Sequence, residues 1–175
     1  MQKADDRRLE NIWAAISLAA VDKMEQAFAA GTGRGPSAIA AIMQIGAEPG
    51  LSIERLRQII ALSHSATVRL LDQLAADDLI RREAPAGADK RARAIHLTES
   101  GGQLFEEAQA ARRKVAARAL ECLSAQERKQ LTTIVEKMFP ALVCTDGIDD
   151  EVVCRYCDGR VCPIERCPVP QHHLP

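Results

Sequence analysis

The chain has 175 residues, a mass of 19.1 kDa, a formal net charge of -1 and only 3% aromatic residues. That length suits one globular domain with an appendage, and a core so poor in rings must be built from Leu, Ile, Val and close Ala contacts. A charge this close to zero excludes nucleic-acid binding through overall basicity, so any such binding must rest on a local patch.

Residues 6–30 predict a long amphipathic helix, with Leu9, Ile12, Trp13, Ile16, Ala20, Val21, Met24 and Phe28 at three- and four-residue steps. Such a stripe serves as core and as subunit interface. Gly31, Gly33 and Gly35 end it, and Pro36 suits the first turn of a second helix over residues 37–45. The G-T-G-R-G run at 31–35 lacks the Lys-Ser/Thr ending of a phosphate loop and a strand before it. Glu48-Pro49-Gly50 reads as a turn. Two short helical patterns follow, one from Leu51 to Ile60 that Ser52 can cap, and one from Ser63 to Asp77 that Ser63 or Ser65 can cap. In the second, Ala66, Leu70, Leu71 and Leu74 form the buried stripe.

From Leu79 to Leu97 the chain reads as extended and basic, with five Arg or Lys against two acids, a local net charge of +3. Two helices meeting at a tight corner and followed by a basic hairpin are what a winged helix-turn-helix requires, because one helix must be braced by another to enter a major groove. Thr98 is a predicted N-cap for a long helix to about Leu123, with Leu104, Ala108, Ala111, Val115, Ala119 and Cys122 along its inner stripe. Ser124-Ala125-Gln126-Glu127 is a capping-box signature that opens another helix, carrying Leu131, Ile134, Val135, Met138 and Phe139.

The runs S-H-S-A-T-V-R-L-L-D-Q-L at 63–74, A-A-D-D-L-I-R-R at 75–82, D-K-R-A at 89–92 and I-H-L-T-E-S-G at 95–101 come in order. With these motifs the chain resembles the MarR family of transcriptional regulators over roughly residues 9–139. The resemblance implies a mainly α, dimeric fold with a small β-hairpin wing, built as a winged helix-turn-helix. It implies a homodimer that binds palindromic operators in double-stranded DNA, usually as a repressor, and releases them when a ligand or an oxidant reshapes it. The first helix and the last two would form the dimer base. One departure is Asp78, where the family usually has glycine; the position often needs a left-handed backbone, which Asp tolerates better than most residues.

For base and phosphate contacts the candidates on the second helix are Ser63, His64, Ser65, Thr67 and Arg69, whose hydroxyls, ring and guanidinium can address base edges or flanking phosphates. On the wing they are Asp89, Lys90, Arg91 and Arg93. Asp89 and Arg91 match the family's acidic-basic wing pair, in which the carboxylate orients an arginine for the narrow, negative minor groove. Lys90 and Arg93 are expected on phosphates.

After Pro140 the composition changes. Cys144, Cys154, Cys157, Cys162 and Cys167 fall in the pattern C-x9-C-x2-C-x4-C-x4-C, in a tail with six acidic residues against three arginines. Permanent disulfides are disfavoured in a cytosolic regulator, which leaves metal binding, a thiol switch without metal, or cysteines there by chance. Four thiolates suit either an iron-sulfur cluster or zinc. The Cys-Pro pairs at 162 and 167 favour the cluster, while Cys154-x2-Cys157 is a good half-site for zinc. The expected ligands are Cys154, Cys157, Cys162 and Cys167, with Cys144 as the alternate.

The expected organisation is thus 1–50 for dimerisation and support, 51–98 for DNA binding, 99–140 for dimerisation, and 141–175 as a cysteine-rich metal-binding tail. No enzyme is expected, since no catalytic constellation is recognisable. With no membrane-length apolar run and no signal-like start, a cytoplasmic protein without a membrane partner is expected. Two alternatives stay open: a structural zinc with regulation by a small-molecule effector, and an acidic tail that recruits another protein.

Overall fold

Helix α1, Gln2–Thr32, runs past the predicted bounds at both ends, and only its last turns are buried. Phe28 is fully enclosed and Met24 packs beside it, whereas Leu9, Ile12, Trp13 and Ile16 stay exposed in the single chain. The computed structural model describes residues 2–83, 94–143, 150–162, 165 and 167–169. After α1 come α2 (Pro36–Ala47), β1 (Leu51–Ser52), α3 (Ile53–Ile59), α4 (His64–Ala76), β2 (Ile80–Glu83), β3 (Ala94–Leu97), α5 (Glu99–Leu120), α6 (Ala125–Val143) and α7 (Asp150–Val153). Among the described residues no helix is long and apolar enough to cross a membrane.

Helix α2 is the centre of the core. Pro36 stands at its first turn, and Ile39, Ala40, Ala41, Ile42, Met43 and Ile45 are all buried, on more than one face. A helix apolar nearly all round is one surrounded by other elements, here α1, α3, α5 and β3.

The predicted hairpin is a three-stranded antiparallel sheet in the order β1-β3-β2. The extra strand pairs Leu51 with Ile95 and Ser52 with Ala94, and both Leu51 and Ile95 are buried. The turn before β1 depends on Gly50, at φ +92°, whose N–H donates to the Ile95 carbonyl at 2.9 Å. Ser52 then caps α3, its hydroxyl accepting from Arg55 N–H at 3.1 Å.

Helix α4 ends in a Schellman motif. Leu79 N–H donates to the Leu74 carbonyl at 2.9 Å and Asp78 N–H to that of Ala75 at 3.1 Å, with Leu74 and Leu79 both buried. Asp78 takes φ +55°, the left-handed conformation expected of it. Thr98 caps α5, accepting from Gly101 N–H at 3.0 Å, and its own hydroxyl donates to the Asp78 carbonyl at 2.6 Å. The capping box of α6 forms in both directions: Ser124 N–H donates to the Glu127 carboxylate at 2.8 Å, and Glu127 N–H donates back to the Ser124 hydroxyl at 3.3 Å. The Ser124 hydroxyl, which also donates to the Glu127 carboxylate at 2.7 Å, and then the Ser124 N–H hold the Glu127 carboxyl below its usual range.

One expectation for the last helices needs correction. The buried stripe of α5 covers Leu104, Phe105 and Ala108 and fades after Ala111, so Cys122, expected in the core, is exposed beyond the helix end. Helix α6 also continues through Pro140 to a buried Val143.

Candidate nucleic-acid interface and cysteine tail

Ser63, His64, Ser65 and Arg69 are exposed, while Leu71 and Leu74 anchor the opposite side of α4 in the core. Ser63 is the cap, accepting from Ala66 N–H at 3.2 Å, and Ser65 lies 3.3 Å from it, oxygen to oxygen. The first turn of α4 therefore presents two hydroxyls, an imidazole and the positive end of a helix dipole to solvent. Thr67 does not join them. It is 0% exposed and its hydroxyl donates to the Ser63 carbonyl at 3.0 Å, which removes it from the groove-facing set.

The basic residues divide by what they already bind. Arg34 is paired with Asp77 at the end of α4, and Gln73 donates to the same carboxylate at 2.9 Å. Together they lower the Asp77 pKa, the arginine contributing most. Arg57 is paired with Glu54 at 3.0 Å, Arg81 with Glu83 at 2.7 Å, and Arg82 with Asp72 at 2.8 Å. The Arg82 pair ties wing strand β2 to α4. Arg69, exposed and without an ion pair among the described residues, is the α4 cation left for a ligand.

The wing base is fixed by the pairing of Ile80 with Leu97 through Glu83 with Ala94. Asp89, Lys90, Arg91 and Arg93 belong to its tip at 84–93 and lie outside the described residues, as does Cys144.

One ring joins the cysteine-rich tail to the body. Tyr156 is 9% exposed, its centroid is 5.1 Å from that of Phe28, and its hydroxyl donates to the Pro36 carbonyl at 3.3 Å. Gln44 of α2 donates to the Cys154 carbonyl at 3.2 Å, and α7 lies against α3. On α5, Arg160 pairs with Glu106 at 2.6 Å and its guanidinium sits 5.1 Å from the Phe105 ring centroid. The buried Asp158 accepts from Arg160 at 2.9 Å and lies 3.7 Å from Arg113. Hydrogen bonding to Arg160 is the main cause holding the Asp158 carboxyl below its usual range. No periodic signal marks Tyr156, the chain's one tyrosine; its isolation in a polar tail was the only hint.

Among the described cysteines, Cys154 interacts with Cys157 and Cys162 with Cys167, while Cys122 is exposed after α5. The Cys154 thiol hydrogen-bonds Cys157, which lies one helical turn on, with Cys157 N–H on the Cys154 carbonyl at 2.8 Å. Cys162 meets Cys167, and Cys154 feels the charge of both. The Cys157 thiol is drawn down to about 7, chiefly by the Cys154 hydrogen bond and then by Arg112, against burial and Asp158. Cys154 is pushed up by donating that bond and by burial, and Cys162 by burial and then by Cys167. Among the described residues no three His, Cys, Asp or Glu side chains stand close enough to hold a metal ion.

Residues 32–92 match the MarR family model. Among solved structures the chain is similar to the YusO protein of Bacillus subtilis, at 24% identity and TM-score 0.64, over 78% of this chain and 94% of that one. It is also similar to MepR, a transcription regulator of the Staphylococcus aureus multidrug efflux pump MepA, at 21% identity and TM-score 0.66, over 76% and 97%. A third is a MarR family protein of Mycobacterium tuberculosis in complex with salicylic acid, at 22% identity and TM-score 0.57, over 74% and 95%. The chain has the winged helix-turn-helix fold of the MarR family.

Proposed function

We propose that the chain is a MarR-family regulator that binds a palindromic operator as a homodimer and represses transcription by occluding a promoter. It acts by binding and not by catalysis. The observation that carries this reading is the outward face of α4, where Ser63, His64, Ser65 and Arg69 are exposed over a core-anchored side. In this reading the first turn of α4 enters the major groove, and the tip at 84–93, with Asp89, Lys90, Arg91 and Arg93, reaches the adjacent minor groove and its phosphates.

Dimerisation is supported by apolar surface that the single chain leaves open. Leu9, Ile12, Trp13 and Ile16 of α1, with Ile134, Val135, Met138 and Leu142 of α6, are exposed large hydrophobics on the two helices. Trp13 and the α6 residues Val135, Met138, Phe139, Ala141 and Leu142 line a shared hollow of about 290 Å³. Apolar surface of this extent is the mark of a protein interface.

Arg69→Ala tests the reading of α4. Removing a base-reading arginine costs about 1–3 kcal/mol, a factor of roughly 5 to 150 at each half-site, so operator affinity in fluorescence anisotropy should fall at least about fivefold, with thermal stability and dimer mass unchanged. Equal affinity for wild type and variant would remove α4 as the reading element.

A further inference from the structure

We infer that Arg34 is a positioning residue: its ion pair with Asp77 ties the corner between α1 and α2 to the end of α4, and so sets the direction of α4 relative to α1. The G-T-G-R-G run between the two helices is arranged to hold that arginine. Gly33 takes φ +65° and closes α1 with its N–H on the Ala29 carbonyl at 3.0 Å. Arg34 N–H donates to the Thr32 hydroxyl at 3.2 Å, and that hydroxyl donates to the carbonyl of the fully enclosed Phe28 at 2.6 Å. Pro36 opens α2 two residues later. The arginine backbone is thereby fixed to the core on both sides.

The partner carboxylate is fixed as firmly. Asp77 is the C-cap of α4, with its N–H on the Gln73 carbonyl at 3.0 Å. The Gln73 amide donates to one carboxylate oxygen at 2.9 Å, and Arg34 takes the other. A carboxylate at the negative end of a helix dipole is unfavourable unless a cation covers it, and the last turn of α4 has no basic residue of its own. The cation comes instead from 43 positions upstream, so the pair joins two elements where a local cap would serve only one.

The place of the pair decides what it controls. Helix α4 packs on its neighbours α3 and β2, and its end meets the start of α5, where the Thr98 hydroxyl donates to the Asp78 carbonyl. The Arg34 pair adds a fixed point from a different element, and two such points define a direction where one leaves a pivot. Helix α4 has 13 residues, a length of about 20 Å, so a pivot of ~10° at Asp77 would move its first turn by roughly 3 Å, about one base-pair step. The same length keeps Arg34 away from the turn that carries Ser63, His64 and Ser65. The tie itself involves no DNA; its use in spacing the two α4 helices of a dimer rests on the operator reading proposed above.

The first test needs no DNA. Nitroxide labels carried by an unnatural amino acid at Asp22 of α1 and Ser65 of α4, both exposed, report the distance between the helices by double electron–electron resonance. Dilution with unlabelled chain keeps the signal within one chain. Arg34→Ala and Asp77→Asn should each broaden the distance distribution at least about twofold, and the combined variant no further, because all three remove one tie. An unchanged distribution, or effects that add, overturns the inference. The variants should fold, since side chains that keep 34% and 24% exposure form a pair that contributes little to stability, and the thermal midpoint checks this. On the selected operator, Arg34→Ala should weaken binding about fivefold. One base pair inserted between the half-sites should penalise the variant at least about threefold less than wild type, with salt dependence unchanged. A merely stabilising pair would leave the spacing preference as it was, and a phosphate contact would lower the salt slope by about one for each arginine; either result overturns the positioning role. A wild type that selects no operator would sink the operator reading, while the label distances would still decide the tie.

Discussion

Gly101→Ala is expected to destabilise the protein by about 3 kcal/mol, the upper range for forcing an atom into a packed site, and to lower the thermal midpoint by roughly 10 °C. A Cβ at Gly101 would lie 1.9 Å from the Leu79 carbonyl oxygen and 2.9 Å from its carbon, and backbone cannot swing aside as a side-chain tip does. Nor can α5 retreat easily. Thr98 N–H is bonded to the Leu79 carbonyl at 3.1 Å, and the Thr98 hydroxyl holds both the Asp78 carbonyl and Gly101 N–H. The glycine that closes the I-H-L-T-E-S-G run thus lets α5 start directly beneath the end of α4. Gly102→Ala is the control. Nothing lies within 4 Å of a Cβ there, so it should stabilise the helix by up to about 1 kcal/mol. Urea denaturation of both variants decides the matter, and equal midpoints would remove the close approach as the reason for Gly101.

Trp13→Glu is expected to weaken the homodimer at least a hundredfold and, with it, operator affinity by a similar factor. Truncating a central aromatic anchor costs about 2–4 kcal/mol in an interface, and two-fold symmetry places the new carboxylate on both sides of the contact. Trp13 is 38% exposed in the single chain, so the protomer itself should fold. Sedimentation equilibrium should show monomer at micromolar concentration with an unchanged helical circular dichroism spectrum. A variant that stays dimeric would move the interface away from the α1–α6 hollow.

Local chemistry made much of this legible in the sequence. Ser52, Thr98 and the Ser124–Glu127 box could be placed because a cap needs only its own turn, and Asp78 because a left-handed residue is a local requirement. Readings that depended on distant packing fared differently. Strand β1 is two residues long, too short for alternation to show, and exists because Gly50 and Leu51 meet Ile95 across 45 and 44 positions of chain. Thr67 carries a hydroxyl that looked fit for DNA, but at i+4 from Ser63 it satisfies a carbonyl of its own helix and turns inward with Leu71 and Leu74.

The attachment of the tail is hidden for a similar reason. A single ring anchors it, Tyr156 against Phe28 and the Pro36 carbonyl, and no local pattern announces that contact. Cys122 erred the other way. Its helical phase matched the stripe, but α5 ends at Leu120, so phase no longer determined burial.

The central claim, operator recognition by a dimer, is tested most directly by selecting duplexes bound by the purified full chain from a random-sequence library at physiological salt. The account predicts enrichment of an inverted repeat whose half-site centres lie about 10 base pairs apart, one turn of the double helix, bound by two chains. Retention of duplexes without any enriched sequence, or enrichment of a single unrepeated half-site by a monomer, would contradict it.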